Sequence, residues 1–182
     1  LLVTSGGTES KKGSPAYRDR LYHNIGGVRL ERVPFPSDES SSGPSVAADF
    51  DRDGDLDLFI GGRLRHGQYP LPGKSRLLRN DNGNFADATD ALAPGLADAG
   101  MVTGALWTDA TGNGWPDLLL ATEWGPVKLF RNVNGKLADV TANAGLANLT
   151  GWWTGIAPAD FDRDGDLDYA LGNLGLNTKY KV

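Results

Sequence analysis

The nonapeptide DFDRDGDLD occurs twice in this chain, at residues 49–57 and again at residues 160–168. Each copy places five aspartates at alternate positions, where neighbouring carboxylates repel one another unless a cation lies among them. Carboxylate oxygens are ligands that hard cations such as calcium prefer. The recurrence therefore predicts a repeated architecture built around acidic, metal-binding loops.

A third, related segment, DATGNGWPD at residues 109–117, lies between the two copies. We call the three segments loop 1 (49–57), loop 2 (109–117) and loop 3 (160–168), and we number their positions 1 to 9. Their first residues, Asp49, Asp109 and Asp160, are 60 and 51 positions apart. Loop 2 keeps an oxygen-bearing side chain at positions 1, 3, 5 and 9 and the glycine at position 6, but only its first and last residues are charged.

The segments that flank the loops also recur in one order. A short strand of small residues precedes each loop and an apolar run follows it; next come a strand that ends in an Asn/Gly turn and a short alternating strand. Asn and Gly tolerate positive φ, so these turns predict hairpins. In the second repeat the four segments are SVAAD at 45–49, LFIGG at 58–62, LLRNDNG at 77–83 and NFADAT at 84–89. Four short strands at this period are typical of a propeller blade.

The sequence therefore predicts an all-β fold, a β-propeller segment of about three blades of four antiparallel strands, with the acidic loops between the first and second strands. The repeat units cover approximately residues 1–44, 45–101, 102–151 and, incompletely, 152–182 of one partial propeller. Residues 1–7 fit the second-strand position, so we expect the chain to begin just after another loop. Because a ring needs at least about four blades, we expect further blades from the same longer chain or from an oligomer.

Alternate side chains of a tightly turning loop converge on one cation, and glycine at position 6 allows the turn. We expect side-chain ligands from positions 1, 3, 5 and 9 and a backbone carbonyl from position 7. The predicted ligands are Asp49, Asp51, Asp53 and Asp57 with the carbonyl of Asp55 in loop 1; Asp109, Thr111, Asn113 and Asp117 with that of Trp115 in loop 2; and Asp160, Asp162, Asp164 and Asp168 with that of Asp166 in loop 3. We predict two calcium sites, and a third in loop 2 that is weaker or absent because Thr111 and Asn113 are neutral. An EF-hand is excluded, because its position 12 needs a glutamate and Ile60 and Leu171 stand there.

The amino-acid composition argues against several classes of function. The chain of 182 residues is 40% hydrophobic and 23% charged, as in an ordinary globular protein. It has no cysteine, which excludes disulfides and thiolate metal sites. Its net charge of −5 argues against nucleic acid as a partner, and twelve of its 23 acidic residues lie in the three loops. No apolar run is long enough to span a membrane.

The pattern DxDxDGxxD, repeated beside FIGG-like segments, resembles the FG-GAP or VCBS repeat of integrin-type β-propellers. The stretches GNGWPDLLLATEWGP and GWWTGIAPADFDRDGDLDYALGNLGLNTKYK are similar to large exported bacterial proteins that combine these repeats with an ASPIC/UnbV domain and are related to cartilage acidic protein. The resemblance implies calcium on the loop carboxylates and a secreted or cell-surface location, in bacteria the periplasm or outer surface. It also implies an interaction module for a protein or glycan partner.

We expect no enzymatic activity from these residues, because loop carboxylates that bind metal are not available for acid–base chemistry. The alternatives are a non-catalytic scaffold within a larger exported enzyme, and a lectin. A lectin would use some of the five tryptophans, Trp107, Trp115, Trp124, Trp152 and Trp153, which can instead pack between blades. Residues 63–72 form a long insertion between two strands, a place where binding residues often lie.

Overall fold

The computed structural model describes residues 1–38 and 40–175, and in them the predicted all-β class is confirmed. Helical structure in these described residues is limited to three short turns, Pro15–Tyr17, Thr89–Leu92 and Leu96–Asp98. None of the helices in this described part is long and apolar enough to cross a membrane. The strands are β1 (Leu2–Val3), β2 (Arg20–Asn24), β3 (Leu30–Val33), β4 (Ser42–Ala48), β5 (Asp57–Gly62), β6 (Arg76–Asp81), β7 (Asn84–Asp87), β8 (Met101–Thr108), β9 (Asp117–Pro126), β10 (Lys128–Val133), β11 (Lys136–Asp139), β12 (Thr150–Ala159) and β13 (Asp168–Asn173).

Strands that follow one another in the chain pair antiparallel and form three successive sheets. We call them sheet I (β1–β3), sheet II (β4–β7) and sheet III (β8–β11). The hairpin β12–β13 is joined to sheet III, because Thr150 of β12 pairs with Pro126 at the end of β9. Within residues 1–38 and 40–175 no sheet closes on itself.

The second strand of each full sheet is buried on both faces, which explains its uninterrupted apolar sequence. Successive side chains of a strand point to opposite faces. In β5, Phe59 joins a core cluster on one face, whereas Leu58 and Ile60 join a different cluster on the other. In β9, Leu118 and Leu119 likewise belong to different clusters. The sheets therefore stack face to face.

The largest cluster lies between sheets II and III, and smaller clusters lie on either side of these two sheets. The fully buried members of the largest cluster include Phe50, Phe59, Leu77, Leu118, Leu120 and Phe130. Leu58, Ile60 and Leu78 pack against Leu2 of sheet I, and Leu119, Val127 and Leu129 pack against Ile156 and Leu171 of the β12–β13 hairpin. Most of the stability of the stack therefore comes from burial between neighbouring sheets.

The first strands of the sheets come close enough to require small residues. A Cβ on Gly43 would lie 2.9 Å from the carbonyl oxygen of Val102, and one on Gly104 would lie 3.2 Å from the Cα of Gly155. The small-residue strands of the repeat are therefore explained by the crowding of β4, β8 and β12.

A buried polar cluster around Asp19 ties sheet I to sheet II. Its carboxylate accepts hydrogen bonds from the backbone N–H of Ser5 at 2.9 Å, from the Ser42 hydroxyl at 2.9 Å and from the Arg76 guanidinium at 2.6 Å. Burial raises the pKa of Asp19, although Ser5, Ser42 and Arg76 oppose the shift. The packing of the two sheets therefore fixes the position of the Asp19–Arg76 ion pair, in addition to the attraction between the two charges.

Candidate metal centres

Each acidic loop connects the first strand of its sheet or hairpin to the second, and its backbone turns at two positions. The predicted glycine at position 6 has a positive φ in all three loops, 97° at Gly54, 82° at Gly114 and 99° at Gly165. Position 4 is also left-handed, with φ of 62° at Arg52, 65° at Gly112 and 66° at Arg163. The second turn could not be predicted from loops 1 and 3, because arginine rarely adopts positive φ.

Backbone N–H groups within each loop fix its first carboxylate. The amide of the position 6 glycine donates to the position 1 aspartate in every loop, at 3.1 Å to Asp49, 2.8 Å to Asp109 and 3.2 Å to Asp160. Such bonds orient a carboxylate and still leave lone pairs for another ligand. The first predicted ligand of each loop is therefore held in place by the loop backbone.

Among the residues that the structure describes, two groups of carboxylates converge as candidate cation sites. One oxygen from each of Asp49, Asp51 and Asp53 lies within 4.8 Å of the others in loop 1. The oxygens of Asp160, Asp162 and Asp168 do so in loop 3. The structure therefore brings together three of the four predicted side-chain ligands in each of these loops.

Loop 1 also contains buried oxygens without a donor, Oδ1 of Asp49 and Oδ1 of Asp51. A buried acceptor without a partner is unfavourable, and a carboxylate more so than a neutral group. Burial, followed by repulsion from Asp53, raises the pKa of Asp51. These residues fit a hard divalent cation, because it would supply the positive charge that the buried oxygens lack.

The aspartate at position 9 of loops 1 and 2 accepts hydrogen bonds from backbone N–H groups, a role that its spacing in the sequence did not indicate. Asp57 is fully buried, and its two oxygens accept the backbone N–H groups of Phe50 at 3.2 Å and of Asn80 at 2.8 Å. Asp117 does the same in loop 2, with Thr111 at 2.9 Å and Asn132 at 2.7 Å. Position 9 therefore joins the loop to the third strand of its sheet, and Asp57 lies outside the converging group of loop 1.

Burial raises the pKa of Asp57 to about 6. The two backbone hydrogen bonds oppose the shift, and the neighbouring charges of Asp51 and Asp53 add to it. Asp168 in loop 3 accepts the N–H of Phe161 at 2.9 Å and remains in its converging group. The corresponding aspartates of loops 1 and 3 are thus placed differently.

The position 7 residues were predicted to contribute carbonyls, and the side chains of two of them do not join the converging groups. In loop 1 the carboxylate of Asp55 accepts the N–H of Asn82 at 2.6 Å, in the turn between β6 and β7. In loop 3 the N–H of Asp166 donates to Asp164 at 2.9 Å, and Asp164 also stays outside the converging group. The side chain of Asp55 is therefore used by the neighbouring hairpin.

Loop 2 is a hydrogen-bonded turn with few charges. The Asn113 side chain accepts the N–H of Trp115 at 2.8 Å and donates to the carbonyl of Asn132 at 2.8 Å. No group of three converging carboxylates occurs in loop 2, all of whose residues lie in the described part of the chain. The amide of Asn113 thus makes bonds that an aspartate in its place could make only in part.

Two arginines near the loops were missed by the sequence analysis. The Arg79 Nε lies 3.1 Å from Asp51, and its Nη2 lies 3.7 Å from Asp53. The Arg52 guanidinium lies over the Trp115 ring at 4.3 Å from its centroid and donates to the carbonyl of Gly114. Arg52 therefore connects loop 1 to loop 2.

Asn80 of β6 and Asn132 of β10 each follow an arginine and precede an Asn–Gly turn, and they have a role beyond that turn. The turns themselves are Asn82–Gly83 and Asn134–Gly135, in which both residues have positive φ. Asn132 is fully buried; its side chain donates to the carbonyls of Phe50 at 2.8 Å and Pro116 at 3.0 Å and accepts the N–H of Gly135 at 3.0 Å. The sequence contained one signal for this role, because an asparagine recurs at the same position of two repeats, as Asn80 and Asn132.

Three of the five tryptophans have neighbours that explain them by packing. Trp107 stacks on Phe50 with ring centroids 6.0 Å apart, and Trp153 packs against the cluster between sheet III and the β12–β13 hairpin. Trp115 lies beneath Arg52. The rings of Trp124 and Trp152 contact each other, with centroids 4.9 Å apart, and lie at the end of the strands opposite the acidic loops.

Comparison with known families gives a match to part of the chain. Residues 109–171, which include loops 2 and 3, match the model of the FG-GAP-like repeat. No curated protein matches the chain. The matched segment contains the feature that led to the sequence prediction, acidic loops between antiparallel strands. Residues 109–171 of this chain are therefore similar to an FG-GAP-like repeat.

Proposed function

We propose that this chain is a calcium-stabilised, extracellular β-propeller module that binds a protein or glycan partner. FG-GAP-like repeats are in general typical of extracellular interaction modules. The single observation that supports calcium most directly is the pair of buried, unpartnered oxygens in loop 1, beside the converging carboxylates of Asp49, Asp51 and Asp53. The proposal assigns no reaction to these residues.

Calcium would neutralise the carboxylates that the loop backbone holds together. Asp49, Asp51 and Asp53 would hold one ion in loop 1, and Asp160, Asp162 and Asp168 a second in loop 3. Oxygen donors at this density suit calcium, which accepts six to eight of them in flexible geometry. The role is structural, because each loop joins the first and second strands of its unit.

Chelation tests the calcium proposal. An ion that binds only the folded chain, at a hundred times its dissociation constant, stabilises it by about 2.7 kcal/mol. For a chain of this length each kcal/mol corresponds to roughly 2–4 °C. Differential scanning calorimetry in millimolar calcium should therefore give a Tm about 5–11 °C above that in EDTA for each site filled. Equal melting temperatures in the two buffers would remove the structural role of calcium.

The propeller part of the proposal rests on the order of the strands. Each of sheets II and III consists of four strands in chain order, and their faces stack. Sheet I exposes Leu30, with 47% of its surface accessible, and no described residue covers the far face of the β12–β13 hairpin as a fourth sheet would. We expect other blades, from the same longer chain or from an oligomer, to cover these faces.

Light scattering on the 182-residue chain tests this arrangement. Uncovered apolar faces should make the isolated chain self-associate in a concentration-dependent manner. A compact monomer at all concentrations would contradict the need for further blades. Secretion or surface display is part of the same proposal, and fractionation of cells that express the natural gene would test it.

A further inference from the structure

Loop 1 has a cationic neighbour outside its own nine residues. Arg79 lies on β6, and its guanidinium contacts two of the three converging carboxylates of the loop. Its Nε lies 3.1 Å from Oδ2 of Asp51, and its Nη2 lies 3.7 Å from Oδ2 of Asp53. One arginine therefore neutralises part of the charge on two side chains that are proposed to hold calcium.

The two ion pairs are only partly shielded from water. The accessible fraction of the side chain is 47% for Arg79, 16% for Asp51 and 31% for Asp53. An arginine this exposed can turn into solvent without disturbing the core, because water hydrates its charge there. The contact is therefore one that Arg79 can make or give up.

Arg79 opposes the charge repulsion within loop 1. Burial, followed by the charge of Asp53, raises the pKa of Asp51, and the charge of Arg79 acts in the opposite direction. Oδ1 of Asp51 is buried and has no hydrogen-bond donor, so Arg79 serves only one of the two oxygens of this carboxylate. The arginine thus lowers the repulsion without removing it.

The corresponding arginine of the next repeat provides an internal comparison. Arg79 pairs with Ala86 of β7, and Arg131 occupies the same position of sheet III. In the part of the chain that the structure describes, Arg131 forms no ion pair with a carboxylate. Position 3 of loop 2 is the neutral Thr111. The arginine at this strand position therefore contacts its loop where position 3 is an aspartate.

We propose that Arg79 is an intramolecular competitor of calcium at loop 1. A guanidinium and a divalent cation repel each other and use the same carboxylates, so Arg79 leaves Asp51 and Asp53 when the ion binds. Arg79 thereby lowers the calcium affinity of loop 1 and supports the loop while calcium is scarce. This inference rests on the proposed calcium site and concerns the concentration at which that site fills.

The competition has two linked consequences. An arginine that contributes only to the calcium-free form stabilises that form by the same free energy by which it weakens calcium binding. Removing it should therefore tighten calcium binding about fivefold, which is about 1 kcal/mol and within the range of a partly exposed ion pair. The same change should lower the Tm in EDTA by roughly 2–4 °C and leave the Tm in saturating calcium unchanged.

Titration calorimetry with calcium chloride on the full chain tests the first consequence. Asp160→Ala with Asp162→Ala removes two of the three converging carboxylates of loop 3, so the titration in this background reports loop 1. There Arg79→Gln should tighten binding about fivefold, whereas Arg79→Lys, which keeps the charge, should change it much less. In the converse background, Asp49→Ala with Asp51→Ala, loop 3 is titrated and Arg79→Gln should have no effect.

Melting in EDTA tests the second consequence on chains whose loops are unchanged. Arg79→Gln should lower the Tm in EDTA but not in saturating calcium. Arg131→Gln is the matched control, because it removes the same charge from the same position of sheet III. It should alter neither the Tm in EDTA nor the calcium affinity of loop 1.

Three results would overturn the inference. Weaker calcium binding by Arg79→Gln would show that the arginine positions Asp51 for the ion, as a residue behind a metal ligand does. Unchanged binding, or equal losses of Tm in EDTA for Arg79→Gln and Arg131→Gln, would show an ordinary surface arginine. In all three cases calcium still binds and the proposed module stands. A chain that binds no calcium in any variant would instead refute the calcium-stabilised module, and this inference with it.

Discussion

Replacing Asn132 of β10 by alanine should destabilise the chain more than the same exchange at Asn80, its counterpart in β6. The side chain is fully buried and makes three hydrogen bonds, to Phe50, Pro116 and Gly135. The bond to Phe50 crosses from sheet III to loop 1 of sheet II, over 82 positions of sequence. Alanine removes all three bonds and leaves two carbonyls and one N–H to find other partners.

The magnitude follows from these contacts. Each of the three lost hydrogen bonds contributes about 1 kcal/mol, and groups left buried without a partner add to the loss, so we expect a loss of at least about 3 kcal/mol. For a chain of this length that corresponds to roughly 6–12 °C in Tm. Asn80→Ala is the matched control, because its side chain bonds only within its own sheet, to Leu56 at 3.1 Å and Gly83 at 2.8 Å, at exposed positions. It should cost about 1 kcal/mol.

Urea denaturation and calorimetry of both variants, each in calcium, measure the two losses on one scale. The difference between the two losses of unfolding free energy measures the contribution of the Asn132–Phe50 hydrogen bond together with the deeper burial of Asn132. Equal losses would refute the reasoning, because they would show that the contact between sheets contributes nothing beyond the turn.

Two further predictions concern the sheet I junction and the ligand assignment. Asp19→Ala should lower stability by about 3 kcal/mol in urea denaturation, because it leaves the buried Arg76 without its main partner, whereas Ser42→Ala should cost about 1 kcal/mol; similar losses would contradict the ion pair's role. Asp51→Ala should weaken calcium binding in titration calorimetry about tenfold or more, and Asp55→Ala much less, since its side chain serves the β6–β7 turn. Equal weakening would contradict the assigned loop geometry.

The features that could be predicted from the sequence are those that a single repeat determines locally. Asn-Gly pairs require positive φ, so they predicted the β6–β7 and β10–β11 turns, and the glycine of each loop marked its sharpest bend. Apolar runs such as LFIGG predicted strands buried on both faces. These signals depend on backbone sterics and on the polarity of neighbouring residues, which a sequence displays directly.

The features that were missed depend on contacts between repeats or on the choice between two roles for one residue type. The sequence alone suggests that Arg52 is a solvated residue of loop 1. In the structure, the stacking of the sheets places Trp115 beneath it. An aspartate that accepts backbone N–H groups has the same spacing as one that binds metal, so Asp57 could not be distinguished from Asp51. Only the position of Asn80 in three dimensions separates them.

The contact of Arg52 with loop 2 has a consequence for how the chain responds to its surroundings. If loops 1 and 3 bind calcium as proposed, their order would follow the calcium concentration, although Arg79 also lies 3.1 Å from Asp51 of loop 1. Loop 2 instead receives a guanidinium that is covalently attached to the neighbouring repeat and cannot diffuse away. Because Arg52 is itself a residue of loop 1, a loop 1 loosened by loss of the ion would also weaken this contact, so the effect of calcium would extend across the junction between sheets II and III.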